Sequence, residues 1–246
     1  MRYLFFDLSE KCSAYALIVD GKITSYNSRT MISDIFGESL YKLYHWIKDV
    51  VFKTNPDVIG VEDIFSQSVK SYKKLSKLQA IAELICYNYN KETPIFANAS
   101  TIRKHFGLNI EKVLSEKQFY KKIKKAKKVK YNNYEDYLKD ENHYFNRFKH
   151  IDFDTSYYRI IDGEVIDTRK HRKVKISKKG NISIKGSRIS EFDYAKKIVI
   201  VDYIKRIYGI DFNYCDNDVC DAFLGALYLS KGFYLKKKIA KKKGKK

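Results

Sequence analysis

A run of four apolar residues that ends on a carboxylate does most to constrain how this chain can fold. Tyr3, Leu4, Phe5 and Phe6 are unbroken, and Asp7 follows at once. A short run of that kind reads as a strand buried on both faces. An ionised carboxylate at its end is costly to bury unless a cation or hydrogen-bond donors meet it. Three further acids stand in equally apolar settings: Glu62 after Val58-Ile59-Gly60-Val61, and Asp218 and Asp221 at the head of an apolar helix. The four carboxylates read together as one metal site.

The rest of the chain spells a mixed α/β pattern around that strand. Residues 2–28 predict three antiparallel strands, with Asp20-Gly21 as a two-residue hairpin turn. Glu38 to Lys53 carries Leu40, Leu43, Tyr44, Ile47, Val50 and Val51 at helical spacing, and Asn55-Pro56-Asp57 stops it. Val58 to Glu62 is a second buried strand. Ser68 to Tyr89 predicts a long helix with Leu75, Leu78, Ala82, Ile85 and Tyr89 on one face. Pro94 to Ala97 is a short strand, after which Ser100 or Thr101 is expected to cap a short helix ending near Gly107. Ser190-Glu191-Phe192-Asp193 resembles a capping box for a helix through Ile198, Val201, Ile204 and Ile207 to Gly209. Asp216-Asn217 caps a last helix, which turns Ala222, Phe223, Ala226 and Leu227 inward and ends at Gly232. Alternating strands and helices after an antiparallel start predict a mixed sheet flanked by helices.

Charge enters the argument through its placement. The 246 residues carry a formal net charge of +20, which favours a polyanionic partner, most simply nucleic acid. Residues 117–130 hold eight lysines, 169–188 nine lysines or arginines, and 236–246 eight lysines, together 25 of the 49 basic residues. Concentration of that kind is the footprint expected of a nucleic-acid binder. Composition shifts near residue 109, so about 110–186 reads as a basic insertion in a single domain spanning 1–235. Tyr157–Asp167 and Lys173–Lys185 look like hairpins within it, turning at Asp162-Gly163 and Lys179-Gly180-Asn181. Residues 236–246 read as a disordered, phosphate-seeking tail. No segment reads as a membrane span or signal peptide. Cys12, Cys86, Cys215 and Cys220 form no zinc-type spacing and are expected to be reduced, in an intracellular protein.

Asp218 and Asp221 are three apart at a helix start, so they share a face. Two carboxylates that close repel unless a cation lies between them. With Asp7 and Glu62 they could hold one or two hard divalent ions, Mg²⁺ or Mn²⁺, of the kind that drives phosphodiester hydrolysis. Each acid alone has a plainer reading: Asp7 as a strand-end turn residue, Asp218 as a helix-dipole partner. Lys70, Lys73, Lys74 and Lys77 near the start of the long helix are either a solvated face or contacts to backbone phosphate.

The order of these elements resembles the RuvC-type Holliday junction resolvases of the RNase H-like superfamily. Phe6-Asp7-Leu8-Ser9 is similar to that family's first-strand aspartate segment, and Val61-Glu62-Asp63-Ile64-Phe65 to its Glu-x-x-Phe motif. Asp218-Val219-Cys220-Asp221-Ala222 matches its closing Asp-x-x-Asp-Ala. The likeness covers roughly residues 1–108 and 186–232. Leu8-Ser9 stands where members often carry Pro-Gly, and the insertion and lysine tail suggest a phage, viral or organelle-like branch.

The resemblance implies an RNase H-like mixed five-stranded sheet flanked by helices, with the basic segment inserted. It implies a homodimer that resolves four-way junctions by paired nicks with Mg²⁺, Mn²⁺ substituting. Asp7, Glu62, Asp218 and Asp221 would be the catalytic metal ligands. Phe65 would stack on bases at the junction centre, or else pack in the core. Lys185 or Arg188 would face the scissile phosphate, with Lys70, Lys73 and Lys74 as further DNA contacts. No membrane and no small-molecule cofactor are expected, and the place of action would be a bacterial cytoplasm or nucleoid or a viral replication site. Two other readings stay open: an RNase H-like nuclease on flaps, forks or RNA–DNA hybrids, and a non-catalytic basic nucleic-acid binder.

Overall fold

The computed structural model describes residues 1–9, 12–31, 33–63, 69–111, 113–124, 130–141, 143–151, 158–161, 164–167, 172–176, 182–184, 191–212 and 217–234. Phe65, Lys185, Arg188, the Ser190 end of the expected capping box, Asp216, both expected hairpin turns of the insertion and the 236–246 tail lie outside them. The chain divides into two compact units, one formed by residues 1–107 with 216–246, the other by Leu108–Cys215.

The first unit is built on β1 (Arg2–Asp7), the central strand of a mixed five-stranded sheet. β2 (Cys12–Val19) pairs antiparallel with it, and β3 (Lys22–Thr30) antiparallel with β2. On the other side β4 (Val58–Glu62) and β5 (Ile95–Ala97) run parallel to β1, giving the order β3-β2-β1-β4-β5. This is the α/β architecture of an RNase H-like fold. Asp20 and Gly21 both take positive φ, 50° and 81°, as the tight hairpin between β2 and β3 requires.

Strand alternation splits the sheet into two chemically different faces. Leu4, Phe6, Leu17, Ile59 and Val61 face one way. They form a core with α1 (Phe36–Thr54) and α2 (Val69–Asn90), through Leu43, Trp46, Ile47, Val51, Leu78, Ala82 and Ile85. Residues on the opposite face follow from the register: Phe5 beside Ala16 and Gly60, and Asp7 beside Ala14. α8 (Asn217–Ser230) covers that face, packing on β1, β2 and β4, with α3 (Ala99–His105) against it.

α8 comes unusually near the sheet. A Cβ built on Gly225 would lie 2.1 Å from Phe5 Cδ1, and one on Gly60 would lie 2.6 Å from Phe5 Cδ2. The ring is thus held edge to edge between two glycines, and their missing side chains let the helix settle onto β1. Ala222, Phe223, Ala226 and Leu227 are buried as expected. One capping expectation is corrected: α3 is capped by Asn98, whose side chain accepts from the Ser100 N–H at 2.9 Å, and not by Ser100 or Thr101. Asparagine directly after a strand end offers the same short acceptor, two positions before Ser100.

The second unit holds α4 (Glu116–Ile123), α5 (Tyr134–Leu138) and α6 (Tyr144–Arg147) around an aromatic cluster. The buried Phe119 ring lies 4.9 Å from that of Tyr137 and 5.5 Å from that of Tyr134. Tyr137 and Tyr134 also accept from and donate to the backbone of Leu114, each at 2.9 Å. No helical or strand period announced this segment, because its order comes from rings packing on rings and not from one amphipathic face. β6 (Tyr158–Ile161) with β7 (Glu164–Asp167), and β8 (Arg172–Ile176) with β9 (Ile182–Ile184), are antiparallel pairs joined into one four-stranded sheet. α7 (Glu191–Tyr208) buries Ala195, Val199, Ile200 and Ile204, but leaves Ile207 exposed, against the expected Ile198-Val201-Ile204-Ile207 stripe. Among the described residues no helix is long and apolar enough to cross a membrane.

Candidate metal centre

β1, β4 and β5 are parallel, so their carboxyl ends share one edge of the sheet. Ligand sites of open α/β sheets form at such edges. Asp7 is the last residue of β1 and Glu62 the last of β4. Phe6 pairs with Val61, so Asp7 and Glu62 stand side by side on the α8 face. The carbonyl of Glu62 accepts from Gln79 Nε2 of α2 at 3.1 Å, and the N–H of Asp63 donates to Ala97 at 2.9 Å. These two bonds fix the end of β4 from both sides. On the other flank, Ser9 and the fully buried Ser13 close the turn after β1. Ser9 N–H donates to Ser13 Oγ at 3.2 Å, and Ser13 Oγ donates back to the Ser9 carbonyl at 3.1 Å. α8 then delivers Asp218 from its first turn and Asp221 one turn further along.

Asp7 and Glu62 sense the acids around them. Burial pushes the Asp7 carboxyl well above the usual carboxylate range, and the charges of Glu62, Asp221 and Asp218 push it further. The two carboxyl groups stand within hydrogen-bonding reach of each other, which raises Asp7 and lowers Glu62. Burial also raises Glu62, with Asp221 and Asp218 adding to it while Asp7 and Arg103 pull the other way. Carboxyls raised by burial and by one another mark a cluster with more negative charge than its surroundings balance.

Two side chains that the sequence reading passed over complete the site. Arg103, on α3, donates through one Nη to both oxygens of Asp221, at 2.8 and 3.0 Å. Burial opposes its charge, but Asp221 foremost, then Glu62 and Asp7, hold its pKa above the ordinary arginine value. Cys12, at the start of β2, lies two residues before Ala14, the partner of Asp7, and therefore on the same face. Its thiol is within hydrogen-bonding reach of Ser28 and Asp218, and burial and then Asp218 push its pKa up. Arg103 had one legible signal: it follows β5 by a single helical turn, at the edge where Asp7 and Glu62 end. Cys12 had none beyond its register with Asp7.

Hard divalent ions suit the donor set, since all four acids offer carboxylate oxygens. As they stand, the described Asp, Glu, His and Cys side chains form no group of three or more that could hold a metal ion. The charge and chemistry of the cluster fit such an ion, while Asp221 is turned to Arg103. Of the basic residues singled out, Lys73 is exposed on α2, and Lys74 Nζ sits 5.2 Å from the centre of the Phe36 ring. Lys70 lies in α2, its side chain outside the described set.

Comparison with solved structures gives partial likenesses. RuvC of Thermus thermophilus, in complex with a Holliday junction substrate, matches 44% of this chain and 72% of its own at 10% identity and a TM-score of 0.40. A second Thermus thermophilus RuvC structure matches 42% of this chain and 68% of its own, at 12% identity and a TM-score of 0.37. The PPX-GPPA enzyme of Aquifex aeolicus matches 41% of this chain and 37% of its own, at 13% identity and a TM-score of 0.28. No protein-family model and no curated protein matches the chain. At these scores and identities the likenesses assign no activity.

Proposed function

We infer that this chain is a metal-dependent, structure-selective DNA endonuclease that resolves four-way junctions as a homodimer. The observation that carries the hydrolytic part is that Asp7 and Glu62 end neighbouring parallel strands and that burial first, then the charges of Glu62, Asp221 and Asp218, raise the Asp7 carboxyl. Those four side chains would hold one or two Mg²⁺ or Mn²⁺ ions. Bound there, the metal would supply the Lewis acidity that phosphodiester hydrolysis needs. Gln79 and the Ser9–Ser13 pair keep Glu62 and Asp7 in place. The net charge of +20 supplies sequence-independent attraction to phosphate. Lys70, Lys73, Lys74, Lys185 and Arg188 are the proposed DNA contacts, and Phe65 the proposed stacking residue. The preference for four-way junctions comes from the motif resemblance in the sequence. α2 exposes Tyr72, Leu84 and Tyr87, apolar surface that a second copy could cover.

The test is nicking of labelled four-way junction, fork, linear duplex and RNA–DNA hybrid, with binding measured in parallel. Wild type should cut the junction with Mg²⁺. Asp7→Asn, Glu62→Gln and Asp221→Asn should bind it at least as well and fail to cut, because each removes charge from the cluster and none from the basic surface. Members of one site act together, so a double change should resemble a single one. Cutting at wild-type rate by Asp7→Asn and Asp221→Asn would remove the metal centre. Preferential cutting of the hybrid or fork would move the activity to another substrate.

A further inference from the structure

The Arg103–Asp221 pair is not built like a permanent structural bridge. An arginine that clamps a carboxylate for stability presents two nitrogens to two oxygens, as a fork. Here one Nη serves both oxygens of Asp221, at 2.8 and 3.0 Å. The Nε of Arg103 is buried and has no acceptor among the described residues. Both side chains are largely buried, with 20% and 15% of their surface exposed. The guanidinium therefore gives up one good hydrogen bond to stay beside the acids. What holds it there is charge, since Glu62 and Asp7 attract it as well as Asp221.

α3 explains how the arginine reaches that place. Asn98 caps the helix directly after β5, so its second turn stands over the edge where Asp7 and Glu62 end. Asp221 reaches the same point from α8, which packs against α3. One carboxylate thus faces two possible cations: a guanidinium supplied by the chain and a divalent ion supplied by solvent. Both would draw on the same two oxygens, and each lone pair that accepts from Nη is one the carboxylate does not offer to a metal.

We propose that Arg103 is the built-in counter-ion of the carboxylate cluster and competes with a divalent cation for Asp221. It is a positioning residue, acting on the metal through Asp221. Without metal it neutralises part of the cluster and keeps α8 against α3. A metal meets both the lone pairs that Nη holds and the guanidinium's positive charge, so Arg103 lowers the cluster's affinity for the ion while stabilising the metal-free protein. The proposal rests on the metal-centre reading above.

Mn²⁺ binding to the purified, metal-free full chain tests it, read by the electron paramagnetic resonance of free Mn²⁺ and by the Mn²⁺-induced rise in Tm. Arg103→Gln should unfold at lower temperature than the parent without metal, yet bind Mn²⁺ several-fold tighter and gain more Tm from it. Arg103→Lys keeps the charge but cannot reach both oxygens as a planar donor, so it should fall between the two. A merely structural arginine would lower Tm and leave Mn²⁺ affinity unchanged or weaker, and that result overturns the proposal. If Arg103→Gln does not fold, Arg103→Lys decides alone: tighter binding supports the competition, equal or weaker binding overturns it. Absence of Mn²⁺ binding by parent and variants alike would overturn the metal-centre reading and the proposal with it. Binding by the parent with no gain in the variants overturns the proposal only.

Discussion

Gly225 offers the sharpest test of how the sheet and its last helix hold the acids in place. Alanine in mid-helix is favoured over glycine by about 1 kcal/mol, so on propensity alone Gly225→Ala should stabilise the protein. The structure reverses that expectation. The new methyl would fall 2.1, 2.3 and 2.4 Å from Phe5 Cδ1, Cε1 and Cγ. Carbon atoms pack at about 3.5–4.0 Å, so the ring must withdraw by roughly an ångström or more. It cannot swing toward β4, because its other edge already lies against Gly60. Phe5 is 1% exposed and has no open side. Overpacking costs about 1–3 kcal/mol, and a clash this close belongs at the upper end, so after the propensity gain the net change should be a loss of up to about 2 kcal/mol. For a protein of this size that is about 2–4 °C in Tm per kcal/mol. Differential scanning calorimetry with metal chelated gives the number. Phe5→Leu in the Gly225→Ala background should recover part of the loss, although Phe5→Leu alone destabilises. That is a coupling of about 0.5–3 kcal/mol between residues in contact. Gly225→Ala at or above parental stability, or additive effects of the two changes, would refute the close approach of α8 to β1.

Two further outcomes follow from the site. Asp7 and Glu62 are raised by burial first and then by neighbouring carboxylates. An acid whose folded pKa exceeds its unfolded one contributes stability that is full below the unfolded value, about 4, and is lost as pH rises through the folded value. In EDTA, the Tm of the parent minus that of Asp7→Asn should therefore fall as pH rises above about 4; a flat or rising difference would show that Asp7 is not raised. Asn98→Ala should cost about 1 kcal/mol through loss of the α3 cap. Because α3 carries Arg103, that cost should shrink in an Asp221→Asn background, and strictly additive denaturant midpoints would separate the cap from the ion pair.

Most of the first unit was legible because its signals are local and agree. Alternation and apolar runs place β1, β2 and β4, Asp20-Gly21 dictates the hairpin, and the 3.6-residue period of Leu43, Ile47, Val50 and Val51 gives α1 its buried face. The second unit was less legible for a physical reason. Phe119, Tyr134 and Tyr137 are ordered by packing among rings from short helices, which leaves no period in the sequence. α7 misled in detail: its β-branched residues surround the helix, so Ile207 looks as fit for burial as Ile204.

The site divides along the same line. Acids are conspicuous after an apolar run, because burying a lone carboxylate is improbable without a purpose. A single arginine among 49 basic residues carries no such mark. Arg103 is distinguished only by burial beside Asp221, a residue 118 positions away in sequence. Composition also points away from it. A net charge of +20 suggests that cations serve the surface and the nucleic acid, whereas this one faces inward to the acids. The inference available from sequence would have been topological. Parallel strands end at a common edge, so a helix that starts one residue after β5 must bring its early turns to the edge where Asp7 and Glu62 end. A charged residue in those turns then meets either solvent or the acids, and Ile102, buried beside it, fixes the helix rotation that turns Arg103 to Asp221.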